Sequence, residues 1–150
     1  MALIGRIFVI FFAVMLAMLA ASIAIAIGLL GPEWHGFTGD LAERSGFWVL
    51  VLFTSVFTGA AALLPLFLFI VLAEALALRS MLIHAVAGVV IFLFGYYGAI
   101  AGNRYEESID RAPPPISRGT ELAAAAGAVF GFTYWAIAGR RSGMWRRRAA

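Results

Sequence analysis

Four long apolar runs, 4–30, 47–73, 81–102 and 121–138, alternate with short polar stretches along this chain of 150 residues. Each run reaches the length, about 20 residues, that a helix needs to cross roughly 30 Å of hydrocarbon. In lipid, a backbone this apolar satisfies its donors and acceptors by folding on itself as helix. The pattern therefore predicts an all-α, polytopic membrane protein, four transmembrane helices in an antiparallel bundle, forming one domain over 1–150 with a basic tail at 139–150.

The centre of that pattern is the hairpin 47–102, whose two apolar arms meet at a polar elbow carrying Glu74, Arg79 and His84. The second run is uncharged for about 40 Å of helix, longer than the hydrocarbon layer, so it must tilt, bend or protrude. Pro65 lies inside it and predicts a kink. Glu74 and Arg79, five residues apart, are about 140° from each other on an ideal helix and do not form an i, i+4 pair. The elbow trio is the candidate functional polar cluster. An intramembrane carboxylate is a functional group by default, whereas one near a helix end with an arginine in reach is a structural pair; depth decides between the two.

Small residues recur where helices should touch. Ala13, Ala17 and Ala21 form a stripe on the first run, Gly98 and Gly102 make a GxxxG step on the third, and Gly127 and Gly131 a second such step on the fourth. Thr120, with Glu121 behind it, is the expected N-cap of the fourth helix. Tyr96 and Tyr97 fall where an interfacial anchor would sit. Of the connections, 31–46 is acidic and flanked by Trp34 and Trp48, and contains His35, a solvated loop histidine on the simplest reading. The stretch 103–120 holds three consecutive prolines, 113–115, which make it a stiff extended spacer. The first run also has the small residues of a signal-peptide cleavage region, but it is longer than a signal h-region, so an uncleaved span is expected.

Composition sharpens this picture. Apolar residues make up 63% of the chain and charged ones 13%, too little polar surface to coat a soluble globule. All 11 basic residues are arginines. Arg6, Arg79, Arg140, Arg141, Arg146, Arg147 and Arg148 lie on the side of the termini and the elbow, against Arg44, Arg104, Arg111 and Arg118 on the other. The positive-inside rule then places both termini in the cytoplasm, whether or not the first run is cleaved. Arg140, Arg141, Trp145, Arg146, Arg147 and Arg148 form a tail suited to anionic membrane lipid, and nucleic acid is not an expected partner.

Candidate chemistry is sparse. Cysteine is absent, which excludes disulfides, thiolate metal sites and cysteine nucleophiles. The two histidines fall on opposite sides of the expected membrane, so they do not pair on a haem. No histidine–carboxylate cluster has metal spacing, no serine stands in a nucleophile elbow, and the glycines lack the strand context of a phosphate loop. No catalytic residue and no cofactor is expected.

The runs PLFLFIVLAEALALRSMLIHAVAG, 65–88, and AAGAVFGFTYWAIAGRRSG, 125–143, resemble segments of small uncharacterised four-span inner-membrane proteins of bacteria. That resemblance implies an inner-membrane location and no particular activity. Small multidrug transporters are similar only in span count, because they place a glutamate midway along the first helix, where this chain has apolar and small residues. The functional expectation is a non-enzymatic accessory or assembly component that forms a homo-oligomer or joins a larger membrane complex. The alternative is a small oligomeric transporter or channel working through Glu74; a lipid-processing enzyme lacks a nucleophile and base.

Overall fold

The computed structural model describes residues 2–31, 40–103 and 117–144, and its order is α1 (Ala2–Leu30), α2 (Leu41–Ala75), α3 (Met81–Asn103) and α4 (Arg118–Ile137), followed by a short 3-10 turn at Gly139–Arg141. There is no strand among the described residues. Among the described residues, stretches long and apolar enough to cross a membrane occur in three helices, at Ile4–Leu30, Leu41–Ala60 and Met81–Ala99. The fourth run does not reach the same standard: α4 opens with Arg118, Gly119, Thr120 and Glu121 and continues in alanine and glycine, which lower its hydropathy. His35, Trp34, the proline triplet 113–115, Trp145 and Arg146, Arg147 and Arg148 lie outside the described residues.

Local sequence explains most helix ends. Asp40 caps α2 by accepting from the Glu43 amide at 2.9 Å, so the helix starts six residues before the apolar run begins at Phe47. Ser117 caps α4 in place of the expected Thr120, with its hydroxyl accepting from the Thr120 amide. Gly31 ends α1 at a φ of 77°, its amide donating to Ile27 O at 3.0 Å. At the end of α2 the Leu78 amide returns to Ala73 O at 2.9 Å in a Schellman turn, and Ala77 takes the left-handed position at a φ of 51° that glycine usually fills. Pro65 interrupts neither the run nor the assignment of α2, which is helical from Leu41 to Ala75.

The packing is inverted relative to a water-soluble protein. Ala13, Ala17 and Ala21 are buried on α1, while Leu64 is 81% and Val56 71% exposed on α2. Large apolar side chains on the outside and small ones inside are what an apolar solvent permits, because helix contact there is driven by close fit and not by removal of apolar surface from water. α4 packs most extensively on α3 and then on α1, α1 also touches α2, and α2 touches α3 least of these pairs. Partners from opposite helix ends meet at each contact: Arg6 with Glu74 and with Ala138, His84 with Tyr134, Arg118 with Gly28. Adjoining helices therefore run antiparallel.

The closest approach is between α3 and α4, and glycine makes it possible. A Cβ on Gly127 would strike the Gly88 backbone, and one on Gly131 would strike the His84 backbone. The row on α3 that receives them is centred on Gly88, four residues beyond His84. Gly98 takes no part: nothing lies within 4 Å of where its Cβ would be, because it is on an exposed face of α3. Gly102 belongs to the helix but its surroundings lie outside the described residues.

Candidate functional site

Where α1 starts and α2 and α4 finish, polar groups from every helix gather in an otherwise apolar interior. We refer to this as the ionic end. Arg6 and Glu74 form an ion pair whose side chains are only 10% and 13% exposed. The guanidinium engages Glu74 Oε1 through both Nε, at 3.0 Å, and Nη2, and Nη2 also donates to Ala138 O at 2.8 Å. The other carboxylate oxygen, Oε2, accepts from the Gly143 amide at 3.1 Å. Both oxygens and both faces of the pair are thus occupied, and α1, α2 and the segment after α4 are tied at one point. Removing either charge from such a site would leave the other buried without a counterion.

The elbow residues divide between this pair and a second layer. Arg79 does not meet Glu74; its Nε donates to Ser142 O at 3.1 Å, and its own carbonyl accepts from Trp135 Nε1 at 2.8 Å. His84 turns inward and is completely buried, stacked on Tyr134 with ring centroids 5.8 Å apart and meeting Phe69 edge-on at 5.4 Å. Its Nδ1 lies 2.8 Å from Ser80 O, and since a carbonyl can only accept, Nδ1 carries a proton and donates it there. Among the described residues the buried Nε2 has no hydrogen-bond partner, nor do the buried hydroxyls of Tyr134 and Ser142. Gly139 passes so close that a Cβ there would lie 2.9 Å from His84 Nε2. The fold has thus brought together Arg6, Glu74, His84, Tyr134 and Ser142, five buried or nearly buried polar side chains.

The segment after α4 is part of this site. Ser142 and Gly143 are buried, and Gly143, at a φ of 72°, approaches Ala77 so closely that a Cβ would come within 2.5 Å of the Ala77 Cβ. The arginines beside them face outward: Arg140, held by Ala136 O and lying 5.0 Å over the Trp135 ring, and Arg141.

At the opposite end, the hydroxyls of α3 and α4 form a chain. Tyr96 Oη meets Ser117 Oγ at 3.1 Å, Ser117 meets Thr120 Oγ1 at 3.0 Å, and Tyr97 Oη meets Thr120 at 3.3 Å. Arg118 Nη2 donates to Gly28 O at 2.9 Å and so holds the last turn of α1 to the first of α4. This hydroxyl end contains no ion pair among the described residues.

Sequence reasoning missed Arg6 as the partner of Glu74 and Tyr134 and Ser142 as members of the cluster. A signal for Arg6 was present, since it is the single charge of the first run. No group of three metal-binding side chains comes together among the described residues. Comparison of the chain with family models, with curated proteins and with solved structures finds no match.

Proposed function

We propose that this chain is a non-enzymatic protein of the bacterial inner membrane, with all four helices in one antiparallel transmembrane bundle and both termini in the cytoplasm, acting as an accessory or assembly component that packs with itself or with a larger membrane complex. The observation that carries the reading is the uncovered surface of α2, where only 11% of the apolar stretch Leu41–Ala60 is buried within the chain. Phe47 and Val51 hold this stretch to α1, and the outward Val49, Leu52, Phe53 and Val56 are left for other apolar surfaces. α4 suits a bilayer despite its lower hydropathy because α1 and α3 cover its small-residue faces. Arg140 and Arg141, outward at the ionic end, supply the positive charge that anionic lipid headgroups attract. Glu74 fits a structural part better than a working one, since both its oxygens already have partners.

Purification of the tagged full chain from membranes in mild detergent tests this. A defined oligomer or a stoichiometric membrane-protein partner is expected, and a strictly monomeric species with nothing bound would contradict it.

A second reading, a small oligomeric transporter or channel using Glu74, is favoured by the unpartnered His84 Nε2, Tyr134 hydroxyl and Ser142 hydroxyl next to the ion pair, because buried polar groups in a membrane interior mark ion and proton paths. On this reading Glu74→Gln abolishes flux in reconstituted vesicles while assembly persists. Unchanged flux would remove it.

A further inference from the structure

Between α2 and α3, in the half of the molecule toward the hydroxyl end, the helices separate around a half-enclosed cleft of about 260 Å³. Thr58 and Ala62 of α2 and Phe92, Tyr96 and Ala99 of α3 line it, with Leu29 of α1 and Leu122 of α4. Apart from the Thr58 and Tyr96 hydroxyls these side chains are apolar, so water would find too few partners to stay. An empty space of this size next to lipid forfeits contacts along all its walls. Something apolar fills it.

Its dimensions select the occupant. Along α3 the lining runs from Ile91 to Ala99, about 12 Å of helix, close to the roughly 15 Å that one leaflet contributes to the hydrocarbon layer. An extended acyl chain is thin enough. The deep end is closed by Ala62, Ile91 and Phe92, all buried in the core. The other end reaches Tyr96 and Gly119, beside the Ser117 and Thr120 hydroxyls and next in sequence to Arg118, which makes no ion pair among the described residues. An apolar slot one leaflet deep, with hydroxyl donors and a cation at its mouth, has the polarity of a phospholipid carrying an anionic headgroup.

We infer that this cleft binds one acyl chain of an anionic phospholipid from the leaflet at the hydroxyl end, with the headgroup held at Arg118 and the adjoining hydroxyls. The inference goes beyond the proposed role and rests only on the chain lying in a bilayer. It makes the lipid a fixed part of the structure, wedged where α2 and α3 do not meet.

The test uses the full chain in vesicles of equal phosphatidylcholine and phosphatidylglycerol, doped with phosphatidylglycerol bearing a diazirine partway along one acyl chain. After illumination, labelled peptides are located by mass spectrometry. Labels are expected on the cleft walls, at Thr58, Phe92, Ala99 or Leu122, above the level on outward-facing Phe8 and Leu64. Ala99→Trp and, independently, Thr58→Trp fill the slot from opposite walls and should reduce cleft labelling to that outer level while Phe8 and Leu64 label as before. Two variants from different helices guard against one failing to fold. Arg118→Gln should lower the preference for phosphatidylglycerol over an equally labelled phosphatidylcholine by about fivefold, the effect of one cation at an anionic surface. Cleft labelling equal to the outer level in the native chain would overturn the inference, as would cleft labelling unchanged by both tryptophan variants. Crosslinks from the cleft to a second copy would overturn it too. Each of these leaves the membrane reading intact, because Phe8 and Leu64 report that separately.

Discussion

The two ends of this molecule hold their helices by different means, and the difference shows what each is for. At the ionic end, Arg6, Glu74, Ala138 and Gly143 join three parts of the chain through charged hydrogen bonds, and glycines let the backbones of α3 and α4 touch. At the hydroxyl end, neutral hydroxyls link α3 to α4, one arginine links α4 to α1, and α2, packed on α1 through Phe47 and Val51 against Ala26, is separated from α3 by an apolar cleft. Charge-assisted bonds are roughly twice as strong as neutral ones, and close backbone contact leaves little freedom. One end is a clamp, and at the other a cleft separates α2 from α3.

Four predictions bear on that contrast, two of them with a companion variant as control, ordered by the largest effect each should show. Glu74→Leu strands the Arg6 guanidinium and should cost about 3–5 kcal/mol, whereas Arg6→Met combined with Glu74→Leu should recover most of the loss, since no charge is then left unpaired. Thermal unfolding in detergent, followed by circular dichroism across this double-mutant cycle, measures both; equal losses from single and double variants would deny the clamp. Gly131→Val drives a side chain into the His84 backbone, and the overpacking should cost about 1–3 kcal/mol. The same change at Gly98, which has open space around it, should leave unfolding of the isolated chain almost unmoved.

At the hydroxyl end, Ser117→Ala removes the cap of α4 and the middle of the hydroxyl chain, for a loss of about 1 kcal/mol. Its effect should stay local, visible as faster amide hydrogen exchange in the first turn of α4 and unchanged exchange around Glu74. The last effect is a gain. Ala77 occupies a left-handed position that disfavours any side chain, so Ala77→Gly should raise stability by up to about 1 kcal/mol, read as a higher unfolding midpoint.

Much of the helical framework was legible in the sequence because it rests on local pattern. The apolar runs mark α1 and α3 closely, and the small-residue row at Gly127 and Gly131 falls on the α3–α4 contact. The early start of α2 was legible too and was missed: Asp40 with Glu43 three residues on is a capping pattern, obscured by the polar character of 41–46. The shift of the α4 cap from Thr120 to Ser117 is a choice between two hydroxyls three residues apart, which local preference does not resolve.

The site was less legible because its members meet only through tertiary packing. Arg6 and Glu74 lie 68 residues apart, and nothing near either names the other. Arg79, close in sequence, is the obvious partner, but the Schellman turn at Ala77 carries it to Ser142. Ser142 and Gly143 sit within a run that reads as a basic lipid-facing tail, and their burial follows from the 3-10 turn that folds them back under Glu74. Gly98 had the same motif spacing as the glycines that do pack, and motif spacing does not say which face of α3 meets α4.

The contrast between a clamped and an open end can be measured directly, since the chain has no cysteine and labels can be introduced without removing any. Paired spin labels at Leu76 and Met144 for the ionic end, and at Phe57 and Tyr97 for the hydroxyl end, would report distances by pulsed electron paramagnetic resonance in vesicles; all four side chains are exposed. A narrow distance distribution for the first pair that broadens in Glu74→Leu, beside a broad one for the second pair that does not change, is the expected result. Equal widths at both ends in the native chain, or an ionic-end distribution indifferent to the loss of Glu74, would contradict the clamp.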